Sequence, residues 1–462
     1  MSLPTVTLKA KHQASPVTVD RMTIYEQCQI IEARDDENHR YYLFFHKHHY
    51  LNYVSASKRP NSSFVSLAFQ RGITFSGSHP LTQSLLSPSY KKQNFNTLFE
   101  TLQHRWGHEE TALIATYFHP FIKKPKLAHF IQTLFYKERR NGKMLSCYRI
   151  LQLLEDFAPN HPLSDAFSGD LQFGQYEQRY KHDDEQLLLQ DPIRVEKTLF
   201  HNRENTDSYQ SLQSLYEKQS RSLEKTALSI DRAVRTQSTG DYEALLPLLS
   251  GYSDEDRLAF LTDLYERGLT TPFFLQDYWD TLIKNHRPER ALSLMDEHEI
   301  RLTPHQSKTL IDLVRQHPLL SASLSPKSWE VLTSLFMKSD QPAHAKEILQ
   351  QAISDLLNEY DPPYIVQWAR PFESDPALKP IIDKLKEMET LSDDPNHQRR
   401  LGELYYEFRQ SKRAIECMSW DMELYEKDPQ PVQWLAKLYQ EEGMQEEHKA
   451  YQQLYITMMK QA

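Results

Sequence analysis

"NHQRRLGELYYEFRQSKRAIECM", residues 396–418, carries a spacing of apolar and small residues that returns elsewhere in the chain. Leu401, Gly402 and Tyr405 fall on one face of a first helix, and Ala414 and Met418 on one face of a second. In "PKSWEVLTSLFMKSDQPAHAKEILQQA" (326–352), Trp329, Leu332, Phe336, Ala345, Leu349 and Ala352 follow at spacings of 3, 4, 9, 4 and 3. Leu401, Tyr405, Ala414 and Met418 reproduce the inner offsets of 4, 9 and 4. In "VQWLAKLYQEEGMQEEHKAYQQL" (432–454), Leu435, Ala436 and Tyr439 each stand 34 residues after Leu401, Gly402 and Tyr405. A helical hairpin cannot bury its apolar face alone, so a hairpin repeated at fixed period must stack on its neighbours.

These segments resemble the tetratricopeptide repeat, a 34-residue helix-turn-helix unit with the pattern W-x2-L-G-x2-Y, then A-x3-F, then P. A small residue at the eighth position lets the two helices approach, the aromatic at the eleventh fills the gap, and the alanine at the twentieth sits at the closest contact. The packing set here is Trp329, Leu332, Phe336, Ala345, Leu401, Gly402, Tyr405, Ala414 and Tyr439. Repeats fall at 326–359, 360–394, 395–428 and 429–462, the second degenerate and the fourth with His448 at position twenty. The likeness is looser from about 238 to 325 and does not reach the first 170 residues.

The resemblance implies a right-handed α-α superhelix whose concave groove binds a protein or peptide. It places Asn396, Arg399, Glu403, Tyr406 and Glu407 of the third repeat in that groove, with Lys327, Glu330, Ser334, Met337 and Lys338 of the first. In the fourth the same positions are Gln430, Gln433, Lys437, Gln440 and Glu441. No lysine- and asparagine-rich clamp for a terminal carboxylate is visible, and the mixed charges suit a polar or amphipathic helical ligand.

Upstream the patterns differ. In "MTIYEQCQIIEA" (22–33), Met22, Ile24, Cys28 and Ile30 alternate as one face of a strand. "RYYLFFHKHHYLNYV" (40–54) reads as a strand in which His46 and His48 share a face with Phe44 and Tyr50, and "SSFVSLAF" (62–69) as a third. Helical spacing takes over near residue 95. Leu127, Phe130, Ile131, Leu134 and Phe135 make one stripe that Gly142 stops, and one long amphipathic helix is expected over 206–236. "YSDEDRLAFLTDLYERG" has Ser253 to cap, Asp256 three residues on and Gly268 to end it. The expected fold is therefore mainly α: a β-rich region over 1–78, a basic helical region over 79–173, a connector and long helix over 174–237, and the repeat array over 238–462.

Hydrophobic content of 39% and charged content of 25% describe a globular chain, and no apolar run approaches the ~18 residues of a membrane span. The N-terminus has no apolar leader core, and three scattered cysteines fit a reducing compartment, so a cytoplasmic location is expected. With 11 glycines and neither GxGxxG nor GxxxxGK[ST], nucleotide loops are not expected, and no nucleophile motif such as GxSxG appears. Residues 1–150 carry 20 Lys+Arg against 10 Asp+Glu, whereas the remainder carries 34 against 53. The basic clusters "KKPK" (123–126) and "KERRNGK" (137–143) lie beside aromatics, which keeps an anionic or nucleic-acid partner open for the N-terminal part. His104 and His108 stand at i, i+4, but Gly107 between them favours a boundary between two helices over a metal site. The reading is a non-enzymatic scaffold or adaptor without cofactor or metal. The alternative is a nucleic-acid-associated regulator whose repeats sense a partner.

Overall fold

A computed structural model describes residues 3–10, 13–56, 63–167, 170–181, 190–298, 300–316, 324–338, 342–392 and 394–461. Helix makes up 68% of the described residues and follows a small N-terminal β region, so the protein is mainly α. The chain divides into two compact units, Met1–Phe274 and Leu275–Ala462. Among the described residues no helix is long and apolar enough to cross a membrane.

The first unit opens with strands β1 (Thr5–Ala10), β2 (Gln13–Tyr25), β3 (Cys28–Arg34), β4 (Arg40–His46), β5 (His49–Ala56), β6 (Ile73–Ser76) and β7 (Ser89–Lys91). They form one sheet in the order β5-β4-β3-β2-β1-β7, with β6 paired to β2. Neighbours are antiparallel except β1 and β7. Both sides of the central strand are buried: Ile30 and Ile31 are each fully inaccessible. Helices cover the sheet, and a second apolar cluster centred on Ile131, Phe135, Cys147 and Leu151 lies among them.

Several strand expectations are corrected. Met22 and Ile24 pair with Ile31 and Gln29, while Cys28 pairs with Tyr25 and Ile30 with Thr23. The expected single face is thus two faces, because a two-residue turn at Glu26 and Gln27 folds the run back on itself. The run 40–54 is likewise two strands, since Lys47 (φ 46°) and His48 (φ 68°) form a tight turn that pairs His46 with His49. His48 therefore shares no strand face with His46. The third expected strand is a helix, Phe64–Arg71, started by the Ser63 side chain accepting from the Ser66 amide. The long helix over 206–236 is two, Thr206–Lys218 and Ser222–Thr236, separated by Ser220 at φ 56°.

Other signals hold. Leu127, Ile131, Leu134 and Phe135 are buried, and the helix Lys124–Arg140 stops just before Gly142. Ser253 accepts from the Asp256 amide and donates to its carboxylate, and Gly268 at φ 89° closes that helix.

In the second unit, prolines stand at the first helical position of Pro288–Glu297, Pro326–Met337, Pro362–Ala369 and Pro429–Glu441, where their missing N–H costs no hydrogen bond. Lys379–Ser392, Gln398–Glu407, Ser411–Leu424, Pro429–Glu441 and Gln445–Gln461 follow, each packed on the next. Trp329, Leu332, Phe336, Ala345, Leu401, Gly402, Tyr405 and Ala414 are all buried. A Cβ on Gly402 would lie 2.9 Å from Met418 Cε and 3.1 Å from Cys417 Cβ, so the two helices approach closely here and a side chain at 402 would require both neighbours to shift. Tyr439 is half-buried and stacks on Tyr451. His448 is accommodated at its position because its Nδ1 bonds the Ala436 carbonyl at 2.8 Å.

Candidate functional site

Residues 395–428 and 429–461 bring several of the expected groove residues together. Tyr406 donates to Glu441 at 3.0 Å, and its ring centroid lies 5.4 Å from that of Trp434. The Lys437 ammonium sits over both rings, 4.3 Å from the Tyr406 centroid and 4.7 Å from that of Trp434. Lys437 and Glu441 are exposed, and the two rings half-buried. Arg399 is engaged between adjacent helices instead: it donates to Asp421 at 2.8 Å, to Asp428, and to Gln430 at 2.7 Å. Its pairs join three successive helices. Glu407 pairs with Lys384 at 2.5 Å and Glu403 with Arg400 at 3.3 Å, while Asn396 is exposed. In the first segment Lys327 reaches back to the Asp296 carbonyl at 2.7 Å, Glu330 and Lys338 are exposed, and Met337 is half-buried. Nothing brings these four to the Tyr406 cluster.

The histidine-rich stretch has a structural role. His48 meets Glu224 at 2.5 Å, and Gln29 donates to the same carboxylate at 2.8 Å. Arg221 donates to Glu224 at 3.0 Å and to Glu196 at 2.6 Å, and all three charged side chains are at most 4% exposed. Burial works against the Glu224 charge, but Arg221 and His48 hold its carboxyl down at about 2. His46 is fully buried between Tyr117 and Trp106, and burial pushes its imidazole down to about 4. His104 and His108 belong to successive helices, as Gly107 suggested, and His108 pairs with Glu138 at 2.5 Å. Among the described residues no group of three or more His, Cys, Asp or Glu side chains is placed to hold a metal.

A site that the sequence did not announce lies between the helix Phe64–Arg71, the turn after β2 and the helices His108–Tyr117, Met144–Phe157 and Pro192–His201. It is a cavity of about 690 Å³. At its wall Tyr25 OH lies 3.1 Å from His201 Nε2, and Glu26 lies 3.7 Å from His201 Nδ1. Glu26 is only 8% exposed, and burial pushes its carboxyl up to about 7. A carboxyl raised in the folded state is protonated in both states below its unfolded value near 4.5. Its contribution to stability is then fully present, and it is lost as pH rises through about 7. The Glu26→Gln variant is therefore expected to gain stability over the wild type between pH 5 and pH 8, by on the order of 3 kcal/mol. Paired urea titrations at the two pH values check this. A pH-independent difference would mean that Glu26 stays ionised.

No family model matches the chain, and no curated protein was found similar to it.

Proposed function

We propose that this protein is a non-enzymatic interaction scaffold. Its C-terminal helices form a tetratricopeptide-like superhelix, and the groove holds an amphipathic, basic helical segment of a partner protein. The observation that carries this reading is the cluster of Tyr406, Trp434, Lys437 and Glu441, drawn from consecutive repeat segments onto one accessible face. Half-buried aromatic rings framed by charges are the composition of an interface anchor. Residues 275–462 carry 22 Lys+Arg against 31 Asp+Glu, and that acidic surplus favours a basic ligand. Residues 1–274 carry 32 of each, so the basic excess of the first 150 residues is offset within its own unit.

The test compares immobilised wild type with the Tyr406→Ala/Lys437→Ala variant. A partner protein retained by the wild type should bind the variant about 2 kcal/mol more weakly, roughly thirtyfold, at unchanged melting temperature. A synthetic peptide of the partner's bound segment should displace it. Capture that is the same for both proteins would remove the groove from the function. Arg399 is unsuited to this test because its ion pairs join successive helices.

A further inference from the structure

The cavity of the first unit stands apart from the array reading. Its volume of about 690 Å³ falls inside the ~300–1,000 Å³ range of small-molecule sites. One part of the lining is apolar, with Phe64, Leu67, Leu113, Leu153 and Phe157. Of the four carboxylates in the wall, three pair with two cations: Arg149 lies 3.3 Å from Glu109 and 3.7 Å from Asp191, and Lys197 lies 2.8 Å from Asp156. The fourth, Glu26, faces His201. Three exposed cations of the same lining, Arg71, Lys124 and Arg194, make no ion pair with any described carboxylate. Lys124 lies over the Phe157 ring and Arg194 over that of Tyr180. With Arg71, Lys124, Arg149, Arg194 and Lys197 against four carboxylates, the lining carries a cationic surplus, and a chamber with such a surplus at its rim attracts negative charge.

We propose that this cavity binds a small organic anion with an apolar body, its acidic group drawn to the rim cations Arg71, Lys124 and Arg194 and its body laid against Phe64, Leu113 and Phe157. The buried Tyr25 and Glu26, with the exposed His201 against them, supply hydrogen-bonding capacity in the wall. A neutral Glu26 carboxyl, which its raised titration allows near pH 7, removes a charge that would repel such a ligand.

The experiment uses the full chain and two fluorescent probes of similar shape, the anion 1-anilinonaphthalene-8-sulfonate and the neutral N-phenyl-1-naphthylamine. The sulfonate is expected to saturate one site per chain. Lys124→Glu/Arg194→Glu, which changes two exposed side chains that make no ion pair among the described residues, should weaken it about tenfold and leave the neutral probe within about twofold. Raising the salt to half molar should likewise weaken only the sulfonate. Leu153→Trp, at a half-buried lining position, should exclude both probes while the circular dichroism melt stays unchanged. Sulfonate binding that ignores the charge reversal, or that Leu153→Trp leaves intact, overturns the proposal. So does binding at several equivalent weak sites.

Discussion

Arg221→Ala is expected to lower the stability of the first unit by about 3–5 kcal/mol, the effect of leaving buried charges without their partner. The guanidinium lies between Glu196 and Glu224, both fully buried, and it stacks over the Tyr216 ring at 4.6 Å from its centroid. Removing it leaves two carboxylates in a site with little water to solvate them. Glu224 keeps His48 and Gln29, but Glu196 loses its one ion-pair partner among the described residues. Urea unfolding monitored at neutral pH measures the loss. The linkage sign gives a second readout. A carboxyl held at about 2 when folded contributes stability above pH 4.5 that disappears as pH falls toward 2. The gap between wild type and variant should therefore narrow through that window. A loss under about 1 kcal/mol at neutral pH would mean that the two carboxylates find other partners or water. Adding Glu196→Gln and Glu224→Gln to Arg221→Ala should recover part of the loss, since neutral amides are cheaper to bury than charges.

The same cluster explains why part of the first unit was illegible in the sequence. Tight strand turns are recognised by glycine or asparagine, which accept a positive φ. Here Lys47 and His48 take that conformation, and the turn is held from outside: Lys47 by Glu110 at 2.5 Å, His48 by Glu224. No residue within the stretch announces the fold-back. The break at Ser220 is similar, with neither glycine nor proline, and the buried pairing of Arg221 holds the chain beside it. The apolar run 64–71 is short enough to suit strand or helix, and a single serine cap decides between them. The cavity draws its wall from Tyr25 through His201, a separation that no local pattern encodes. The buried stripes of the second unit were legible where their contacts are local: Gly402 faces Cys417 and Met418 of the next helix, so there a spacing in the chain is a contact in space. The environment of the expected groove positions was not legible: Arg399 satisfies the same spacing rule as Tyr406, yet three ion-pair and hydrogen-bond partners keep it between adjacent helices.

That locality makes Ala414→Arg the sharpest test of the register in the second unit. Ala414 is fully buried, and its carbonyl oxygen would stand 3.4 Å from a Cβ on Gly402. An arginine there must displace the facing helix and bring a charge into a buried contact. Overpacking alone costs about 1–3 kcal/mol, and an unpaired buried charge adds more, so a loss above about 4 kcal/mol is expected. Two residues on, Glu416 is exposed, and Glu416→Arg should stay within about 0.5 kcal/mol. Hydrogen exchange read segment by segment would place the damage: protection should fall over Gln398–Gln461 in the first variant and hold in the second. If both variants behave alike, the helices do not meet at Ala414 and Gly402, and the 34-residue register is wrong. If only Ala414→Arg loosens the stack, the same variant should lose the geometry that sets Lys437 over Tyr406 and Trp434. A partner captured by the wild type should then be lost together with the fold of that face, whereas Tyr406→Ala/Lys437→Ala loses it with the fold intact.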